Sequence, residues 1–330
     1  MVLRLIVFPL TSRFISCNMP RSSQKSGRRK QTLHQRLIVW MFRPTRLFAV
    51  ATLLIAWLCW PILKRQLPDL EEREEYRVTA AQVTVTPPPR WVPENVAEKV
   101  FERAGFEEPL SLLDPRLNEK MAVAFHTWPW VEQLVQVRRT WPAGVFVEVV
   151  YRRPVAMVEV VGRGYLPVDR HGHLLPEKDF SPADIDRYPL IGRVTTIPTG
   201  YQGDSWGDPA VTGAAQLAAL LTEEHDGRTL WQSFQLKRIL APRRLSVASE
   251  PDQLQFEIET NGGSRIVWGR PPETRHPGEL SVEKKIARLA EYQRQYDGFD
   301  SGPAAVSIDI RDWQGTRRSL LATEDQPPRH

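Results

Sequence analysis

From Val145 to Arg152 the chain alternates. Val145, Val147, Val149 and Tyr151 interleave with Phe146, Glu148, Val150 and Arg152. A period of two is that of a half-buried strand. The run before it, Val131 to Arg139, is apolar at Val131, Leu134, Val135 and Val137 and reads as a second strand. Between them Trp141-Pro142-Ala143-Gly144 reads as a four-residue turn. Proline fixes one backbone angle there and Gly144 supplies a positive one. The pattern predicts a hairpin. Trp128-Pro129-Trp130 bounds it on one side, where the pre-proline restriction stops a helix. Pro154 bounds it on the other, because proline cannot donate to a sheet ladder.

Upstream, Val78 to Thr86 is a β-rich run that ends in the loop Pro87-Pro88-Pro89. A helix is predicted from Pro93 to Ala104, with Pro93 in its first turn, Val96, Val100 and Phe101 on one face, and Gly105 as its stop. A second is predicted from Asp114 to Phe125, with Asp114 as N-cap, Pro115 at the first position, and Leu117, Met121, Ala124 and Phe125 as its apolar stripe. The order is strand, helix, helix, strand, strand, which suits two helices over one face of a small sheet.

Downstream, short strands at Val155–Val161 and Tyr165–Val168 flank the turn Gly162-Arg163-Gly164. Asp169, His171 and His173 alternate, which places them on one face of a strand as candidate metal ligands. The alternative is an Asp/Gly turn, which Gly172 favours. Asp208 to Glu224 is helical in pattern, with Leu217, Ala218, Leu220 and Leu221 clustered. Phe234–Leu240 and Leu254–Thr260 read as strands, and Asn261-Gly262-Gly263-Ser264 is a hairpin signal leading into Arg265–Trp268. Ser281 to Tyr296 reads as a helix, capped by Ser281 and striped by Val282, Ile286, Leu289 and Tyr292 or Tyr296. Val306, Ile308 and Ile310 then alternate with Ser307, Asp309 and Arg311.

Charge divides the 330-residue chain. Residues 1–46 hold ten Lys or Arg and no Asp or Glu; the chain as a whole is +5, so the rest is −5. A nucleic-acid-binding domain would itself be basic, and this one is mildly acidic. Leu47 to Leu63 is seventeen residues without a charge, roughly 25 Å of helix against a bilayer core of about 30 Å. An apolar flank from Leu37 precedes it, Arg43 and Arg46 can snorkel, and Trp40, Trp57 and Trp60 suit interfacial belts. The alternatives are a buried core helix and a cleavable signal peptide, but no small-residue cleavage pattern follows. The basic side places the N-terminus in the cytoplasm. The predicted organisation is a basic tail 1–46 of disordered composition, a transmembrane helix 47–63 and a linker 64–75. Two outer domains at 76–153 and 154–321 follow, then a tail 322–330. The fold class is α+β. Met19 and Met41 are alternative starts. Cys17 and Cys59 are the only cysteines, and neither falls in the outer part, so no disulfide is expected there.

"PWV", "VRRTWP", an alternating strand and "RRPVA" resemble the end of the POTRA module in the FtsQ/DivIB family of bacterial cell-division proteins. "VDRHGHLL", "YPLIG", "GSRIVWGR", "EKKIARL" and "SIDIRD" follow in family order, so the resemblance spans about Arg77 to Leu321. Pro87–Pro89 departs from it, since the family usually has a Gly-centred turn there. The resemblance implies a POTRA domain and a mostly β domain with a helix, in a single-span protein of the inner membrane. It implies a scaffold that recruits the FtsB and FtsL coiled-coil proteins and other divisome components, with no small-molecule substrate.

The mechanism expected is strand addition at a terminal edge, Thr316 to Leu321. Trp313 is the candidate aromatic anchor, and Thr316, Arg317, Arg318 and Leu320 are the candidate contacts, the arginines toward partner carboxylates. Arg152 and Arg153 are candidate contacts on the POTRA surface. A POTRA component of outer-membrane assembly or secretion is the first rival. An envelope hydrolase or metal protein built on His171 and His173 is the second. No Gly-x-Ser-x-Gly elbow, phosphate loop or His-Glu-x-x-His helix is present, so no catalytic residue, cofactor or metal is assigned.

Overall fold

The computed structural model describes residues 44–66, 73–106, 109–225, 227–243, 253–274 and 276–321. The expectations for residues 1–43 and 322–330, Cys17 and the alternative starts among them, lie outside these. The chain divides into two compact units, residues 1–68 and 69–330.

In the first unit, helix α1 is Pro44–Gln66, with Pro61 inside it. Its described side chains, Phe48 to Ile62, are all exposed, Trp57 at 75%. Its 23 residues make about 34 Å of helix. Among the described residues no helix is long and apolar enough to cross a membrane.

The second unit is mixed α+β and rich in sheet. Its N-terminal lobe opens with β1 (Arg77–Val78) and β2 (Val83–Val85). Helix α2 (Val96–Ala104), β3 (Leu110–Ser111) and helix α3 (Leu117–His126) follow. Strands β4 (Val131–Thr140) and β5 (Gly144–Tyr151) complete the lobe. β2 pairs parallel with β5 and β4 antiparallel with it, giving the order β2-β5-β4. The expected valines face the helices: Val145, Val147 and Val149 are buried against Leu117, Met121 and Phe125.

Three local expectations shift. α2 starts at Val96 rather than Pro93, because a turn closed by Val92 N–H to Pro89 O (2.9 Å) buries Val92 first. α3 starts at Leu117; Asp114 instead makes a preceding turn, accepting from Arg116 N at 2.8 Å. The hairpin loop is three residues, since Thr140 pairs with Gly144, and the Trp141–Pro142 bond is cis. Gly144 does not take a positive φ. A Cβ there would lie 2.6 Å from Thr140 Oγ1 and 3.3 Å from Gln82 O, so the glycine serves close approach.

The C-terminal lobe runs β6 (Pro154–Val160), β7 (Gly164–Asp169), β8 (Leu190–Gly192) and helix α4 (Pro209–Leu221). It continues with β9 (Leu236–Leu240), β10 (Phe256–Thr260) and β11 (Arg265–Gly269). Helix α5 (Val282–Tyr296), β12 (Val306–Asp309) and β13 (Arg317–Leu320) end it. The strands form one sheet in the order β13-β12-β11-β10-β9-β8-β6-β7. The parallel pairs are β6/β8, connected through β7 and residues 170–189, and β8/β9 and β11/β12, bridged by α4 and α5.

One registered row crosses this sheet: Leu166, Val158, Ile191, Ile239, Ile258, Ile266 and Ile308. Each is at most 5% exposed, and burying such a side chain contributes about 1.5–3 kcal/mol. The neighbouring rows, Glu257-Val267-Asp309-Arg317 and Arg238-Glu259-Arg265-Ser307-Ser319, point to the other face. The sheet is thus apolar toward α4 and α5 and largely charged on its far side, the alternation of a two-layer fold.

The two lobes share packing. Leu175 and Phe180, from the second lobe's sequence, belong to the first lobe's core. Trp130 Nε1 donates to Asp179 Oδ2 (2.8 Å), and its ring lies 5.9 Å from Phe180. Trp91 Nε1 donates to Arg152 O (3.0 Å). The Asp/Gly turn is present: Gly172 N–H donates to Asp169 O at 3.0 Å with φ of 74°. The Asp169 carboxylate accepts from the His171 and His173 amides, each at 2.9 Å. Among the described residues no three His, Cys, Asp or Glu side chains are grouped to hold a metal ion.

Candidate partner-binding edge

The row of apolar residues runs out at β13. Ile308 pairs there with Arg318, not with another aliphatic residue. All four residues of β13 are exposed, Leu320 at 76%. The strand therefore adds backbone pairing to the sheet and nothing to its core. Leu321 N–H donates to Ala305 O (3.1 Å). Since alternate residues of an antiparallel strand bond to the same neighbour, Arg317 and Ser319 turn their peptide groups toward β12. Arg318 and Leu320 turn theirs away.

The opposite end of the sheet is closed. β7 carries Pro167 within it, and residues 173–175 return alongside. Leu175 N–H donates to Pro167 O (2.9 Å), Asp169 N–H to His173 O (3.2 Å), and Val168 bridges Leu174. A proline and a covering segment are two of the ways proteins blunt an edge.

The candidate side chains divide by face. Arg317 lies on the charged face beside Asp309 and forms an ion pair with Asp312. Arg318 lies on the helix face with its guanidinium carbon 5.1 Å from the Tyr296 ring centre. Thr316 is exposed just before the strand. Trp313 is 59% exposed, its Nε1 donating to Gly278 O (2.7 Å) and Lys284 Nζ lying 5.1 Å from its ring centre. It is an aromatic shelf docked by one edge.

Arg152 and Arg153 sit elsewhere. They precede β6, six strand spacings from β13, about 29 Å of sheet. Arg152 is turned inward. Its Nη1 meets Asp169 Oδ2 at 2.6 Å with side-chain exposures of 11% and 2%, so this side chain is committed between the lobes. Arg153 is exposed, on a groove with Glu132, Arg170 and Glu273.

Two charged residues of α5 escaped the sequence reading. Lys285 is 2% exposed, bonds Glu279 Oε1 at 2.5 Å, and lies 4.9 Å from the Trp268 ring centre. Burial pushes its ammonium below the ordinary lysine value, with Glu279 opposing that shift. Burial pushes Glu279 up, but Lys285 and then Arg270 outweigh it and hold the carboxyl below its usual value. The available signal was spacing: Lys285 falls between Val282 and Leu289 on the inward stripe. Arg288 is the other. It donates from Nη1 to Ile310 O (2.8 Å) and to Asp312 O, and from Nη2 to Trp313 O (3.1 Å). Asp309 is held below the usual carboxylate value by its hydrogen bond from Arg311.

No family model matches the chain. It is 26% identical over 203 residues to the "Cell division protein FtsQ" of Anaeromyxobacter sp. (strain K). The match takes in 61% of this chain and 60% of that protein. This similarity supports an FtsQ/DivIB-like family for the chain, at a distance.

Proposed function

We propose that the chain is a non-enzymatic scaffold of bacterial cell division, anchored by α1 in the inner membrane with its outer lobes in the periplasm. In this reading the N-terminal lobe is a POTRA domain. The C-terminal lobe recruits FtsB/FtsL-like membrane partners by strand addition and so supports septal wall synthesis. The observation that carries it is the open edge. β13 ends an eight-stranded sheet with no buried side chain and with peptide groups aimed outward, while β7 at the other end is covered. An extended partner segment gains a ladder of backbone bonds there, and alternate side chains give selectivity. Arg317 on one face and Arg318 on the other favour a partner with carboxylates on both sides of its strand.

The test is co-purification of the full chain, solubilised in detergent, with co-expressed FtsB-like and FtsL-like proteins. A version ending at Gly315 is run beside it. Capture by the full chain and loss on truncation is the expected result. Equal capture by both moves the interface off β13, and capture by neither removes the scaffold reading.

A further inference from the structure

β13 has no side chain in the core, so its placement rests on its ladder with β12, on the surface contacts of Arg317 and Arg318, and on the segment that leads into it. One set of ladder bonds to β12 fixes its register. Its approach, Ile310 to Gly315, is irregular and ends in Gly315 at a φ of 149°. Backbone of that kind leaves carbonyls without ladder partners, and such groups need a donor. Gly315 N–H reaches Asp312 O at 3.4 Å, and one guanidinium supplies the rest. Arg288 spans the carbonyls of Ile310, Asp312 and Trp313. Lys284, one helical turn earlier and on the same face of α5, covers the Trp313 ring from the side chain's direction. Asp312 in turn receives Gln314 N–H (3.1 Å) and the Arg317 guanidinium, linking the held segment to the first residue of the strand.

We infer that Arg288 is a positioning residue for the open edge, clasping the 310–313 segment so that β13 stands ready for an incoming strand. This rests on the reading of β13 as the docking edge. Arginine suits the role because its fork of donors is planar and stays charged, so several carbonyls can be held without reorganisation. Preordering the edge also removes part of the ordering cost from the binding step. Arg288 touches no partner in this account and acts only through the strand.

The test uses the full chain in detergent, as Arg288→Ala, Arg288→Lys and, as a control, Arg294→Ala, an exposed arginine of the same helix paired with Glu291. Hydrogen exchange of the peptide spanning 316–321 is measured without partner. Capture of the co-expressed FtsB-like and FtsL-like pair is measured separately. Arg288→Ala is expected to speed exchange of 316–321 at least tenfold, leave exchange in β8 to β11 unchanged, and weaken capture at least fivefold. Arg288→Lys recovers part of both, and Arg294→Ala changes neither. Unchanged exchange at 316–321 in Arg288→Ala overturns the inference whatever capture does. Faster exchange with full capture also overturns it. Truncation after Gly315 then separates the causes: lost capture on truncation keeps β13 as the docking edge, and retained capture removes that reading too.

Discussion

Replacing Asp169 by alanine strands a guanidinium. Arg152 Nη1 sits 2.6 Å from the carboxylate, the two side chains are 11% and 2% exposed, and Arg152 Nε is already buried without a hydrogen-bond partner. Removing one member of a buried pair costs about 3–5 kcal/mol, because the remaining charge is left desolvated. For a folded unit of this size that lowers the melting temperature by roughly 6–20 °C. Arg152→Ala should cost less, since Asp169 keeps the His171 and His173 amides and His173 Nδ1 at 3.3 Å. The double variant should cost less than the sum of the singles by about 0.5–3 kcal/mol, the size of a direct coupling.

The pH dependence has a definite sign. Burial pushes the Asp169 carboxyl up, but the hydrogen bonds from His173 and Arg152 outweigh it, and its folded value lies below 3.8. Its contribution is therefore complete above that ordinary value and is lost as pH falls through the lower, folded one. Thermal unfolding of the four proteins, followed by circular dichroism between pH 7 and pH 3, checks both points. The gap between wild type and Asp169→Ala should narrow only at the acid end. A loss below about 1 kcal/mol for Asp169→Ala, or additive singles, would refute the reasoning.

Two further substitutions probe the packing. Gly213 lies mid-helix in α4, where alanine is normally favoured by up to about 1 kcal/mol. A Cβ there would stand 2.7 Å from Pro271 Cγ and 2.8 Å from Phe256 Cζ, so Gly213→Ala should lose about 1–3 kcal/mol net in denaturant unfolding. A gain in stability would show that the contact relaxes freely. Leu175→Ala removes a fully buried side chain and should cost about 2–5 kcal/mol. Hydrogen exchange should rise in α2 and α3 of the other lobe; a rise confined to β6 and β7 would contradict the shared core.

Much of this fold is legible in the sequence wherever one local rule decides. The valine alternation of β5, the stripe of α3, the glycine stop after α2 and the Asn-Gly-Gly-Ser hairpin each depend on residues near in sequence, and each is present. The misplaced features depend on partners far along the chain. Whether Gly144 serves an angle or a close approach is decided by Thr140 and by Gln82. Arg152 reads as a surface cation until Asp169, seventeen residues on, folds back to meet it. Lys285 and Arg288 look solvated in a charged helix because Glu279 and the 310–313 carbonyls that receive them are set by tertiary folding. The edge at Thr316–Leu321 was readable as a terminal strand. Its lack of any buried residue was not, because that follows from register with Ile308.

The borrowed side chains Leu175 and Phe180 bear on how such a chain can be recombined. Sequence alone puts the seam between lobes at the Arg153–Pro154 bond, and a gene spliced there looks whole on both sides. The N-terminal lobe of such a splice would inherit a vacancy, since two of its packing neighbours travel with the other parent. Exchange between relatives therefore has to carry the 175–180 stretch with residues 76–153, or change both partners of that contact together. Inheritance follows the packing here and not the order of residues along the chain.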